Sequence, residues 1–160
     1  MAHKFYIEAE QWLDYPVEEV FEFFKRAENL ERITPDDLEF KITTPLPIDL
    51  KEGTLIDYRI KLHGIPFPWR TKITQWDPPH RFADVQLRGP YVQWDHTHTF
   101  EEKDGGTLMK DHVEYIVPGG PLSPLIHKLF VRKNVENIFK YRNEIIQTIF
   151  PARTAATYDA

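Results

Sequence analysis

Tyr91-Val-Gln-Trp-Asp-His-Thr-His-Thr-Phe100 is the stretch on which the reading of this chain turns. In a β-strand, successive side chains point to opposite faces. One face then carries Val92, Trp94, His96, His98 and Phe100, and the other Gln93, Asp95, Thr97, Thr99 and Glu101. The first row is apolar except for its two histidines. A histidine on a core-facing row must find a partner or line a wet space. The stretch therefore predicts an aromatic wall with titratable groups set into it, and the rest of the chain reads as a cup built around that wall.

The neighbouring strands follow from their turns. Asp104-Gly105 is a strong two-residue hairpin signal. It sets Phe100 opposite Met109, His98 opposite Asp111, His96 opposite Val113 and Trp94 opposite Tyr115. A slip of one residue would turn Met109, Val113 and Tyr115 outward, which argues against the slip. On the other side, Arg81 to Arg88 reads as a strand that Gly89-Pro90 turns into the central one. A simple two-residue turn there puts Asp84, Gln86 and Arg88 on the outer face. A bulge near the turn would instead bring Asp84 and Gln86 inward, next to His96 and Trp94. Both arrangements stay open.

Earlier in the chain, Phe5, Ile7, Ala9, Gln11 and Leu13 alternate with wetter residues as a first strand. Asp14-Tyr-Pro16 starts a helix with the stripe Val17, Val20, Phe21 and Phe24, capped by Asp14 or a neighbour. A second short helix is expected over Ala27 to Arg32. The period then switches to two, with a short strand at Leu38, Phe40 and Ile42. A further strand holds Ile56, Tyr58, Ile60 and Leu62. A turn at Gly64-Ile65 would pair Leu62 with Phe67, Ile60 with Trp69 and Ile56 with Ile73. After Pro118-Gly-Gly-Pro121, Ser123 reads as the N-cap of a helix running to about Phe150, about 40 Å long at about 1.5 Å per residue. Its expected stripe is Leu122, Leu125, Ile126, Leu129, Ile138, Tyr141, Ile145 and Ile149.

This order implies an α+β fold: about seven antiparallel strands, two short helices after the first, and one long C-terminal helix. One helix cannot flatten against so wide a twisted sheet. The sheet must curl around it, and the remaining space becomes a cavity, apolar with a few placed polar groups. One domain is expected over residues 1–150, with a disordered tail at 151–160. The 160 residues suit one domain, and 14% aromatic content suits a broad aromatic interior. The net charge of -5, without a basic stripe, argues against nucleic-acid binding. Cysteine is absent, so no disulfide framework or thiol nucleophile is expected. Neither a signal peptide nor a membrane-spanning run is read, and a cytoplasmic location is expected by default.

Several segments resemble the START-like, or helix-grip (SRPBCC), superfamily, which includes lipid-transfer domains and polyketide cyclase/dehydrase-like proteins. They are Pro16-Val-Glu-Glu-Val-Phe-Glu-Phe-Phe24, Glu28-Asn-Leu-Glu-Arg-Ile-Thr-Pro35, Gly53-Thr-Leu-Ile-Asp-Tyr58 and Trp76-Asp-Pro-Pro-His-Arg-Phe82. Arg88-Gly-Pro-Tyr91 and Trp94 to Phe100 are similar to one bacterial ligand-binding branch, whose relatives also occur fused to epimerase-like domains labelled cell-division inhibitors. The resemblance spans about residues 3 to 150 and implies a helix-grip fold. It does not decide activity, since one fold hosts carriers, sensors and enzymes.

The leading expectation is a carrier or sensor holding a small hydrophobic or amphipathic ligand between the long helix and the sheet. Tyr58, Trp69, Trp94, Phe100 and Tyr115 would supply the wall, with His96, His98 and Asp111 at the ligand's polar end and Asp84 and Gln86 beside them. The alternative is a cyclase- or dehydratase-type enzyme with His98 as general base oriented by Asp111. A satisfied pair that merely orders the wall is the blander reading of the same residues. His96, His98 and Asp111 also have metal-ligand types. His-x-His alone is a weak signal, and the resemblance implies no metal, so no metal and no cofactor are expected. Arg132, Lys133 and Lys128 read as a solvated face, and oligomeric state is left open.

Overall fold

The computed structural model describes residues 3–153. It begins with β1 (Phe5–Leu13), α1 (Val17–Phe24) and α2 (Asn29–Arg32). A 3-10 turn (Asp36–Leu38) follows, then β2 (Lys41–Ile42), β3 (Leu55–Leu62), β4 (Ile65–Asp77), β5 (Arg81–Arg88), β6 (Gln93–Lys103) and β7 (Gly106–Ile116). The strands form one sheet in the order β1-β7-β6-β5-β4-β3-β2, each neighbour antiparallel. The chain ends in α3 (Ser123–Ile126), a π turn (His127–Val131) and α4 (Arg132–Ile149). This is the α+β helix-grip architecture expected from the sequence.

The apolar periodicity explains where α1 and α4 sit. Val17, Val20, Phe21 and Phe24 are buried against Leu13, Phe82, Phe100, Met109, Ile146 and Phe150. Earlier in α4, Val135 and Phe139 pack with Trp69, Trp94, Val113 and Tyr115. Two register shifts along β4–β5, at Arg70/Thr71 and Ile73/Gln75, bend the sheet. The curled sheet leaves room under its β3–β6 half.

The β6–β7 register is the expected one, from Trp94↔Tyr115 to Phe100↔Met109, with Asp104 and Gly105 at φ 51 and 78 in the turn. The β3–β4 hairpin differs. Its loop is His63-Gly64, at φ 50 and 78, and it pairs Leu62 with Ile65, Ile60 with Phe67 and Tyr58 with Trp69. The expected loop would have placed β-branched Ile65 at positive φ, which is costly. The register moves by two, so every side chain keeps its face.

Between β5 and β6 the arrangement with the extra residue is found. Val85 pairs with Asp95 and Asp84 with His96, so Asp84 faces the interior. Beyond Val85, the Gln86 side chain replaces the ladder. Its amide donates to Tyr91 O at 2.7 Å and accepts from Tyr91 N at 3.1 Å. Gly89 lies over this bridge, where a Cβ would come within 2.5 Å of Gln86 Oε1.

Three helical expectations are corrected. Neither α1 nor α3 has a side-chain cap hydrogen bond; Ser123 is instead buried in the first turn of its helix. The second helix begins at Asn29 rather than Ala27, and β2 covers only Lys41–Ile42 because Leu38 belongs to the 3-10 turn. Most of the first half of the long stripe faces outward: Leu122, Leu125 and Leu129 are more than half exposed, as is Phe130, while Ile126 packs against the core as expected. The inward row is Ser123, His127, Val131, Val135, Phe139, Arg142 and Ile146. Its spacing is mostly four, wider than an α-helix repeats. The π turn accommodates that spacing, so leucines aligned on an ideal helix fall outside.

At the C-terminus, Tyr15 Oη donates to Pro151 O at 2.8 Å, and Arg153 meets Glu19 at 3.1 Å while stacking on the Tyr15 ring. Residues 151–153 of the expected disordered tail are thus held, and 154–160 lie outside the described residues.

Candidate functional site

Five polar side chains meet on the inner face: Asp84 from β5, His96 and His98 from β6, Asp111 from β7 and Arg142 from α4. Strand alternation and antiparallel register bring the first four together. Arg142 arrives because it holds an inward position between Phe139 and Ile146. Its charge between the apolar Phe139 and Ile146 was a signal that the sequence reading missed. His96, His98, Asp111 and Arg142 are all buried, and Asp84 is partly exposed.

Asp111 is the hub. Its Oδ1 accepts from His96 Nε2 at 2.8 Å and from Arg142 Nη2 at 3.2 Å, and it lies 3.2 Å from His98 Nδ1. Its Oδ2 is buried without a partner. Burial alone would raise the Asp111 carboxyl. The Arg142 guanidinium and the hydrogen bonds from His96 and His98 outweigh that and hold it well below the usual carboxylate range. An ionised Asp111 fixes its neighbours' protons. His96 carries its proton on Nε2, facing the carboxylate.

The two histidine rings stack at 3.7 Å yet have opposite electrostatics. Burial and the charge of His98 push His96 down to about 4, so it is neutral at pH 7. Burial also works against a charge on His98. Hydrogen bonds to Asp111 and to Asp84, whose Oδ2 lies 3.0 Å from His98 Nε2, outweigh it and raise His98. His98 thus has both nitrogens occupied, and its Nδ1 is also 3.4 Å from Arg142 Nη2. His96 uses one nitrogen only: its Nδ1 makes no hydrogen bond among the described residues.

These groups form one side of a cavity of about 160 Å³. Asp84, His96, His98 and Arg142 line it, and its other walls are mostly apolar, among them Phe24, Ile60, Trp69, Trp94 and Phe139, with Arg26, Asn29, Thr34 and Thr71 also on the lining. Arg142 lies 5.5 Å from the centre of the Phe24 ring, which gives its charge a second favourable contact. Of the residues expected around a ligand, Tyr58, Trp69, Trp94, Asp84, His96 and His98 line this space. Four do not. Phe100 is packed among Phe21, Phe24 and Phe82. Tyr115 bonds His127 across the far end of the sheet, at 2.6 Å. Gln86 is engaged by the Tyr91 backbone, and Asp111 stands behind the histidines it orients.

A cation-ligating set is also present. Asp84, His96 and His98 each offer an atom within 4.8 Å of the others. It differs from the set read from the sequence in having Asp84 where Asp111 was expected. Both Nε2 atoms in it already face carboxylates, and Arg142 supplies a positive charge at the same place. A divalent ion at His98 Nε2 would have to break its pair with Asp84 and approach a guanidinium, while His96 would offer its unpaired Nδ1.

The fold recurs among solved structures. Protein CV1439 from Chromobacterium violaceum matches with a TM-score of 0.70 at 14% identity, over 92% of this chain and 97% of its own. TTHA0849 from Thermus thermophilus matches with a TM-score of 0.65 at 20% identity, over 90% and 98%. Major latex-like protein 151 from Panax ginseng matches with a TM-score of 0.67 at 10% identity, over 93% and 99%. At such identities the likeness is one of fold. Among curated proteins, none matches. No helix among the described residues is long and apolar enough to cross a membrane. The family model described as polyketide cyclase / dehydrase and lipid transport matches residues 13–139, most of the length from the end of β1 into α4, and fits ligand binding in a hydrophobic cavity. This chain belongs to that family.

Proposed function

We propose that the protein is a carrier or sensor of a small hydrophobic or amphipathic molecule, held between α4 and the curved sheet with its polar end at the histidine row. One observation supports this above the rest: a mostly apolar cavity has four polar residues gathered on one side, two of them histidines whose protons are ordered by Asp111. Burial of apolar ligand surface supplies affinity, at about 25 cal/mol per Å². The polar side sets orientation, since a buried polar group without a partner is costly. The test is native mass spectrometry of freshly purified protein, followed by denaturation and re-weighing. Bound mass released on denaturation, of the size of a small apolar organic molecule, is the expected result. If no such mass is found and a panel of apolar fluorescent probes also fails to bind, the reading is wrong.

The enzymatic alternative rests on the same residues. A general base needs an unprotonated nitrogen within reach of the reacting proton. His98, paired with both Asp84 and Asp111, would have to release a partner first. In a cyclase- or dehydratase-type reaction, His96 is the freer ring.

A further inference from the structure

We propose that His96 Nδ1 is the hydrogen-bond acceptor for an O–H or N–H of the ligand, carried on a ring-sized, otherwise apolar group. This rests on the pocket reading above and narrows it to a chemical class.

The argument begins with proton positions. Asp111 Oδ1 takes the His96 Nε2 proton at 2.8 Å, so the lone pair of a neutral ring sits on Nδ1. The ring lines the cavity, and among the described residues nothing donates to that lone pair. A group that satisfies it must carry an O–H or N–H. A carboxylate cannot, because it has no proton to give. The low basicity of His96 agrees with this, since the ring stays an acceptor at pH 7 rather than a cation. His98 cannot take the role, since both its nitrogens face other residues.

Size supplies the second constraint. A cavity of about 160 Å³ is close to the engineered apolar cavity of about 150 Å³ that holds benzene. It takes one ring-sized group. Trp94 and Phe139 are aromatic surfaces on its lining, and the Phe139 ring lies 5.6 Å from His96. Trp69, also on the lining, has a buried Nε1–H that meets no acceptor.

The test uses the full chain and two near-isosteric probes, 4-fluorophenol and 4-fluorotoluene, titrated by fluorine NMR. A hydroxyl buried without a partner is penalised, so an ordinary apolar pocket prefers the toluene. The expected result is that wild type binds the phenol about tenfold more tightly, as one satisfied hydrogen bond allows. His96→Gln can still donate to Asp111 but has no atom at Nδ1, and its preference should reverse toward the toluene. Equal or tighter binding of the toluene by wild type overturns the proposal. So does a phenol preference that survives in His96→Gln and is lost in Asp84→Asn, which would move the acceptor to Asp84. If neither probe binds wild type, this inference is overturned, and the pocket reading falls with it only if the mass and probe-panel tests above also fail. Should His96→Gln not fold, nitrogen NMR of the wild-type histidines decides. The His96 Nδ1 signal should move on adding the phenol and not the toluene, and a signal indifferent to both overturns the proposal.

Discussion

Two adjoining layers of the interior share a backbone plan and differ in chemistry. One is Phe100 and Met109, paired across β6 and β7, under Ile146 of α4. Two residues along each strand and one turn back along the helix lies the other: His98 and Asp111, under Arg142. Both layers are buried. The first is packed without a polar atom in need of a partner, and the ring of Phe100 meets Phe21 and Phe24 at 5.3 Å. The second has a carboxylate, a guanidinium and an imidazole, with Asp111 Oδ2 and Arg142 Nε left without partners. The contrast separates what holds the fold from what the cavity presents. The apolar layer needs no ligand to explain it. A buried ion cluster often adds no stability over apolar residues of the same volume, so its presence beside a cavity points to function.

The largest effect should come from breaking the charged layer by halves. Arg142→Met takes the guanidinium from buried Asp111 and leaves it only the two histidines, which should cost about 3–5 kcal/mol, read as a lower urea midpoint with an unchanged slope. Adding Asp111→Leu should recover at least half of that loss, because the stranded charge is gone; His96 Nε2–H, deprived of its acceptor, keeps the recovery incomplete. If Arg142→Met alone loses less than about 1 kcal/mol, the layer behaves like a solvated surface pair, and the contrast with its neighbour is void.

Next in size is the apolar layer. Met109→Ala should cost about 2–5 kcal/mol through lost transfer energy and an unfilled cavity. That loss should be the same at every pH, because its layer has no titratable group. A Met109→Ala penalty that varied with pH would mean the two layers are coupled and cannot be treated as separate units.

The charged layer, by contrast, should give stability an optimum near pH 6.5. His96 is held down to about 4 from its ordinary 6.5, so below pH 6.5 the unfolded chain binds the proton first and stability falls with acid toward pH 4. His98 is raised, so its contribution is full below pH 6.5 and is lost as pH rises through its folded value. The acid-side loss attributable to His96 between pH 6.5 and 4.5 is roughly 2 kcal/mol. His96→Gln should remove it, measured as urea midpoints at pH 4.5 and 6.5. An unchanged acid slope in that variant would show that His96 is not the group being forced neutral.

How much of this was legible beforehand follows from local rules. The β6–β7 register could be read because Asp104-Gly105 selects one turn and a slip would invert Met109, Val113 and Tyr115. The inward turn of Asp84 could be named but not chosen. It depends on one extra residue beside Gly89, stabilised by a Gln86 side chain that imitates backbone pairing. Partner choice was only partly legible. Facing positions suggested His98 with Asp111 alone, while side-chain reach gives Asp111 to His96 and Arg142 as well, and gives His98 a second partner in Asp84. The long helix misled because a period of 3.6 was assumed throughout, and the π turn at His127–Val131 is a tertiary outcome that no propensity announces.

The smallest predicted effect probes the far end of the same sheet face, where polarity is neutral and tied to no cavity. Burial pushes Tyr115 up to about 12 and lowers His127, so the phenol keeps its proton and the imidazole stays an acceptor. Tyr115 Oη therefore donates to His127 Nε2 at 2.6 Å, and Phe5 stacks on the imidazole at 3.7 Å. Tyr115→Phe removes one donor and keeps the ring, so it should cost about 1–2 kcal/mol for the acceptor left unpaired. Because Tyr115 does not line the cavity, affinity for 4-fluorophenol should stay unchanged. A clear loss of affinity would mean that the π turn, anchored to β7 through this bond, positions the aromatic wall beneath it, and the ligand site would then extend beyond the charged layer to the start of the C-terminal helix.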